Sequence, residues 1–236
     1  MSEFQKNGFY SQKFKTTDGR VHDKVRVVAI NTEACYYYNL YLLAEMSDPG
    51  DQLAWLEATL QEMQQNGEVA ILIGHHPPGY YDCLSEWARR LGALMERYQD
   101  VIRVSFFGHV HEEMFSSVRA AESDRSINVN HWSGAITTYS ERHMPAFPSF
   151  RRFILDEETM LPVKIETYSM DITVEDPEFV LDHELTELYK LPDLSPKSFD
   201  EFSIRLSEDA ELAFVFERAK NAFGPNQLET CDKKCR

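Results

Sequence analysis

Eight histidines stand at positions 22, 75, 76, 109, 111, 131, 143 and 183, and three of them have unusual settings. His75 directly follows a short apolar run, in Gly74-His75-His76-Pro77-Pro78-Gly79. His109 and His111 directly follow another, in Phe107-Gly108-His109-Val110-His111. Imidazole nitrogen suits zinc, iron and similar transition ions. In extended chain, residues i and i+2 point the same way, so His109 and His111 are expected to present two imidazoles to one pocket. Gly108 allows an irregular backbone there, and the two prolines after His76 stiffen its loop. His22, His131, His143 and His183 read as ordinary hydrogen-bonded histidines. His131 and His143 flank Ser133–Tyr139 (SGAITTY), a further strand-end loop that could reach the pocket.

The elements that must carry these loops are readable. Lys24–Ile30 is a β-rich run that reads as a buried strand, and Val69–Ile73 and Val101–Phe107 are apolar strands. Between the second and third, Leu84 to Tyr98 has helical spacing through Trp87, Leu91 and Met95. A helix starts at Ser47-Asp48-Pro49, buries Leu53, Leu56, Leu60 and Met63, and stops at Asn66-Gly67. Alternating strands and helices are the sign of an α/β sheet with right-handed crossovers. His75, His109 and His111 then leave its carboxyl end, where ligands bind in open α/β sheets. Short strands are expected at 114–118, 127–130, 150–155 and 162–170, as a meander or a second sheet. Residues 175–236 read as a helical subdomain in three segments.

The composition excludes several classes. A formal charge of −15 over 236 residues argues against a nucleic-acid backbone as partner. No run reaches the roughly 18 apolar residues of a membrane span, and the polar start (MSEFQKN) does not read as a signal peptide. The four cysteines, Cys35, Cys83, Cys231 and Cys235, permit two disulfides in three pairings. Cys231 and Cys235 are four apart in a polar tail, where a local disulfide is the better reading; it implies an oxidising compartment.

The histidine constellation resembles the calcineurin-like metallophosphoesterases, in which a GH and a later GHxH motif feed a two-metal site. The resemblance narrows to the acid sphingomyelinases on SDPGDQLAWLEATLQ, ILIGHHPPG, FFGHVHEEMF, SGAITTY with PSFRRFILD, LYKLPDLSPKSFDEF and the closing ETCDKKCR. It implies a zinc-dependent phosphodiesterase that hydrolyses sphingomyelin, a membrane lipid, to ceramide and phosphocholine. His75 and His109 would bind one of two zinc ions and His111 the other. Tyr139 would face the phosphocholine end of the substrate. Cys35 would pair with Cys83, and Cys231 with Cys235. A lysosomal or secreted setting would follow, and the acidic balance fits it, because carboxylates protonate and histidines charge at low pH.

The implied fold is α/β (α+β): a partial four-layer metallophosphoesterase β-sandwich with flanking helices over residues 1–174, and the helical subdomain over 175–236. The family's Asp-x-His, Gly-Asp and Gly-Asn-His motifs find no match before His75; Asp18 is followed by Gly19-Arg20. The chain therefore reads as the C-terminal portion of a larger enzyme, with the rest of the metal site and the general-acid histidine outside it. Alone it is expected to hold zinc poorly. Two other readings stay open: a phosphodiesterase acting on nucleotides or other diesters, and an inactive remnant serving as a binding module.

Overall fold

The computed structural model describes residues 3–139 and 146–223. His143, Cys231 and Cys235 lie outside the described residues. The chain is a mixed α/β protein that divides into two compact units. The first comprises residues 1–109 and 118–130, the second residues 110–117 and 131–236.

In the first unit, α1 (Glu3–Asn7) leads to an antiparallel pair, β1 (Tyr10–Lys15) and β2 (Val21–Ala29). Helix α2 (Gln52–Asn66) precedes β3 (Val69–Ile73), and α3 (Ser85–Arg97) precedes β4 (Ile102–Phe107). β2, β3 and β4 are parallel neighbours. With β5 (Met114–Arg119) and β6 (Ser126–Trp132), they form a six-stranded sheet in the order β1-β2-β3-β4-β6-β5.

β3 is wholly apolar and buries its three central side chains, as a strand covered on both faces requires. α3 buries Trp87, Leu91 and Met95 at four-residue spacing. α2 buries Leu53, Leu56, Leu60 and Met63, and ends at Gly67, whose φ of 62° is the left-handed cap glycine adopts freely. This helix begins at Gln52, three residues later than expected, because Gly50 and Asp51 take left-handed φ values of 71° and 54°. Asp48 still caps it, its carboxylate accepting from the amides of Leu53 (2.8 Å) and Ala54 (3.1 Å).

Beyond the ends of β3 and β4 the two histidine-bearing loops are joined backbone to backbone. The Gly74 amide donates to the Phe106 carbonyl (3.0 Å) and the Gly108 amide to the His75 carbonyl (2.9 Å). The close approach falls at Gly74 rather than Gly108. A Cβ at Gly74 would lie 2.8 Å from Phe107 and 2.9 Å from Thr32, whereas one at Gly108 would meet His75 at an ordinary 3.6 Å. Thr32 is buried, and its hydroxyl accepts from the amides of both His75 (3.0 Å) and His76 (2.7 Å). The expected Cys35–Cys83 disulfide is present, with Cα atoms 4.7 Å apart. It ties the segment after Thr32 to the loop before α3.

In the second unit, β7 (Ser149–Leu155), β8 (Pro162–Met170) and β9 (Phe179–Glu184) form an antiparallel sheet, followed by α4 (Leu185–Tyr189), α5 (Pro196–Glu208) and α6 (Ala210–Ala219). The region after residue 175, expected to be helical throughout, therefore opens with a strand. β9 is recruited by pairing with β8, a long-range partner that local pattern does not reveal.

This unit buries a charged cluster. Glu113, 4% exposed, accepts from Arg151 (3.2 Å), from His183 Nε2 (3.0 Å) and from the Thr167 hydroxyl. His183 Nδ1 lies 2.6 Å from Asp182. Burial pushes the Glu113 carboxyl up, but the Arg151 charge and the His183 and Thr167 hydrogen bonds prevail and hold it at about 2. Burial pushes His183 down, but the bonds to Asp182 and Glu113 prevail and raise it to about 9. His131 is held at about 3 by burial and by the Arg151 charge, so it stays neutral in the core.

Two outcomes follow. Because His183 rises from 6.5 to about 9, its contribution is complete below pH 6.5 and fades as the pH climbs through about 9. Denaturant titrations should show His183→Gln costing on the order of 2 kcal/mol at pH 6 and little above pH 9; a pH-independent cost would contradict the charged pairing. Thr32→Val should cost about 1–3 kcal/mol by stranding two amides, read as a lower denaturation midpoint, and a neutral Thr32→Val would show that the hydroxyl does not hold the turn.

Candidate metal centre

His75, His76 and His109 meet at the carboxyl ends of β3 and β4. One nitrogen from each ring lies within 4.8 Å of the others. The ring centroids of His75 and His109 are 5.2 Å apart, and those of His76 and His109 are 4.0 Å apart. Burial grades across the trio: His75 is exposed, His109 half-buried and His76 only 2% exposed.

Carboxylates hold two of the rings. His109 Nε2 is 2.6 Å from Oδ2 of buried Asp82, and His76 Nε2 is 3.0 Å from Glu33 Oε1. The Tyr36 ring stacks on His76 at 4.2 Å and 16°. The phenol of neighbouring Tyr37 is pushed up to about 12, chiefly by its hydrogen bond with Tyr38, so it is protonated at any physiological pH.

Of the residues expected at the site, His75 and His109 are brought together within the first unit. His111 and Tyr139 belong to the second unit. There the Tyr139 carbonyl is 2.9 Å from His111 Nδ1, and the half-exposed Tyr139 ring meets the imidazole edge-on at 5.9 Å. The extended backbone expected between His109 and His111 is absent. β4 ends at Phe107, and the two histidines have φ values of 70° and 60°. Alternation along a strand therefore says nothing of where they point. His131 is buried on β6 against Phe153 and Phe199 and is a core histidine.

His76, Glu33 and Asp82 escaped the sequence reading. For His76 the signal was the doubled histidine before Pro77-Pro78. Glu33 and Asp82 carried none, since each reaches its histidine across more than 25 residues of chain.

The donor set fits a transition ion. Three imidazoles converge, and the buried Nδ1 of His76 has no hydrogen-bond partner.

No family model matches the chain. Individual relatives do. Sphingomyelin phosphodiesterase B of Dictyostelium discoideum is 35% identical over 191 residues, which is 76% of this chain and 29% of the relative. The human sphingomyelin phosphodiesterase is 28% identical over 222 residues, 90% of this chain and 34% of the relative. The human cyclic GMP-AMP phosphodiesterase SMPDL3A is 28% identical over 251 residues, 100% of this chain and 53% of the relative. The chain thus spans between about a third and a half of the curated relatives it matches. Among solved structures, a dimetal phosphatase from Danio rerio covers 70% of this chain and 59% of its own, at TM-score 0.41 and 12% identity. The similarity to sphingomyelin phosphodiesterases and their relatives runs over most of the chain, which belongs to the acid sphingomyelinase family of phosphodiesterases.

Proposed function

We propose that this chain carries part of the catalytic machinery of a zinc-dependent phosphodiesterase acting on sphingomyelin. The observation that carries the proposal is the convergence of His75 and His109 on loops stitched together by the Gly108–His75 backbone bond. His75, His109 and His111 are assigned as zinc ligands and Tyr139 to the phosphocholine end of the substrate. Bound metal of this kind supplies Lewis acidity and a water whose pKa lies near neutrality. The chain's own contribution is positional. Asp82 orients His109, and Thr32 fixes the turn that presents His75.

A lipid substrate is supported by the surface beside the histidines. Tyr38, Leu40, Tyr41, Leu43 and Met46 are all at least 60% exposed, on the segment that Cys35 ties to Cys83. Such a cluster suits contact with lipid better than contact with a small polar substrate. The disulfide also supports an oxidising setting, lysosomal or secreted. No described helix is long and apolar enough to cross a membrane. The second reading, a nucleotide diester as substrate, is favoured by the similarity to the cyclic GMP-AMP phosphodiesterase over the whole chain.

Three imidazoles shared between two zinc ions leave each short of the usual three or four protein ligands. Turnover by the 236-residue chain alone is therefore expected to be slow or nil. Phosphocholine release from sphingomyelin micelles, followed with added Zn2+ and again with chelator, tests the assignment. Any rate should be metal-dependent and should fall at least about 100-fold in His109→Asn. Turnover that survives chelation would overturn the reading, and hydrolysis of a nucleotide diester without sphingomyelin cleavage would move the substrate to the second one.

A further inference from the structure

His76 is not among the ligands assigned above, yet it is the most deeply placed ring of the trio. We propose that the first unit holds one transition-metal ion by itself, on His75, His76 and His109, with Glu33 and Asp82 as the carboxylates that orient two of those imidazoles. The inference rests on the assignment of His75 and His109 as metal ligands and adds a third ligand to it.

The geometry argues from the proton positions outward. Glu33 Oε1 lies 3.0 Å from His76 Nε2, so that nitrogen carries the hydrogen and donates it to the carboxylate. The lone pair of a neutral ring then sits on Nδ1. That Nδ1 is buried and has no hydrogen-bond partner. Asp82 does the same for His109. It lies 2.6 Å from Nε2 and leaves Nδ1 as the ligating atom. A histidine whose second nitrogen donates to a carboxylate is the usual arrangement behind a metal ligand, because it fixes both tautomer and ring orientation. Here two neighbouring histidines have it. The Tyr36 ring, stacked at 4.2 Å, further holds the plane of His76.

One nitrogen of each of the three rings lies within 4.8 Å of the others. A tetrahedral zinc with bonds of about 2.0–2.1 Å needs its donors about 3.3 Å apart, so binding the ion draws the three rings closer together. Three protein ligands with the fourth position open is the composition of a catalytic rather than a structural zinc site. His75, the exposed member, stands on the open side. The competing explanation is a core histidine held by Glu33. That role would affect stability and leave metal affinity alone.

Titration of the full chain with Co2+, followed by its visible absorption bands, separates the two. The wild type should bind one equivalent with the intense bands of four-coordinate cobalt. His76→Phe keeps the stacking on Tyr36 and removes the nitrogen; it should weaken Co2+ binding at least about 100-fold. Glu33→Gln, at an exposed position, should weaken it about 10-fold. His22→Ala, on β2, should titrate like the wild type. Circular dichroism of the metal-free variants reports folding, and Glu33→Gln carries the test if His76→Phe does not fold. Wild-type affinity in both variants would overturn the third ligand while leaving His75 and His109 in place. Absence of Co2+ binding by the wild type would overturn both assignments.

Discussion

Two parallel strands that end side by side must do something with their last unpaired backbone groups, and here that requirement builds the site. The sheet register sets the ends of β3 and β4 level, and the next amides and carbonyls bond to each other across the gap. One of those bonds ends on the His75 carbonyl, and its donor is the residue before His109. Two histidines 34 positions apart are thereby placed within a few ångströms without any contact between their side chains having to select it. The Thr32 hydroxyl adds the second restraint by fixing both amides of the His75–His76 turn. Gly74 is small because β4 and the segment after β2 close in on it.

The strands and helices that deliver these loops were legible because their signals are local. VAILI is a buried strand by composition, and Trp87, Leu91 and Met95 are a helix face by spacing. What was illegible depends on partners far along the chain. β9 is a strand because β8 offers it an edge, and its own residues, FVLDHE, do not insist on it. His109 and His111 were read by strand alternation, but β4 has already ended and their backbones are left-handed, which the period of two cannot describe. His76 looked redundant beside His75. Only the Glu33 carboxylate and the Tyr36 ring set it apart.

The second unit solves a different problem with similar means. Glu113 has lost its water, which is costly for a carboxylate, and it is compensated by Arg151, His183 and Thr167 on three separate strands. The cluster therefore specifies how β7, β8 and β9 register around residue 113. His131, packed against Phe153 and Phe199, is held down by burial and by the Arg151 charge, which outweigh the pull of Glu113, and stays uncharged. Two buried histidines in one unit thus differ in charge, His183 positive beside its two carboxylates and His131 neutral through burial and the Arg151 charge.

The Cys35–Cys83 bond has a consequence beyond anchoring a loop. Glu33 lies two residues before one sulfur and Asp82 one residue before the other, so a single covalent tie sets the spacing of both carboxylates that orient the imidazoles. The Leu84 amide on the Cys35 carbonyl (2.7 Å) and the Tyr37 amide on the Asp82 carbonyl (3.0 Å) tighten the same junction. Thiol chemistry at that one bond is thereby mechanically linked to the basicity and aim of the histidines. In a reducing environment those backbone hydrogen bonds alone would be left to hold the spacing of the two acidic side chains.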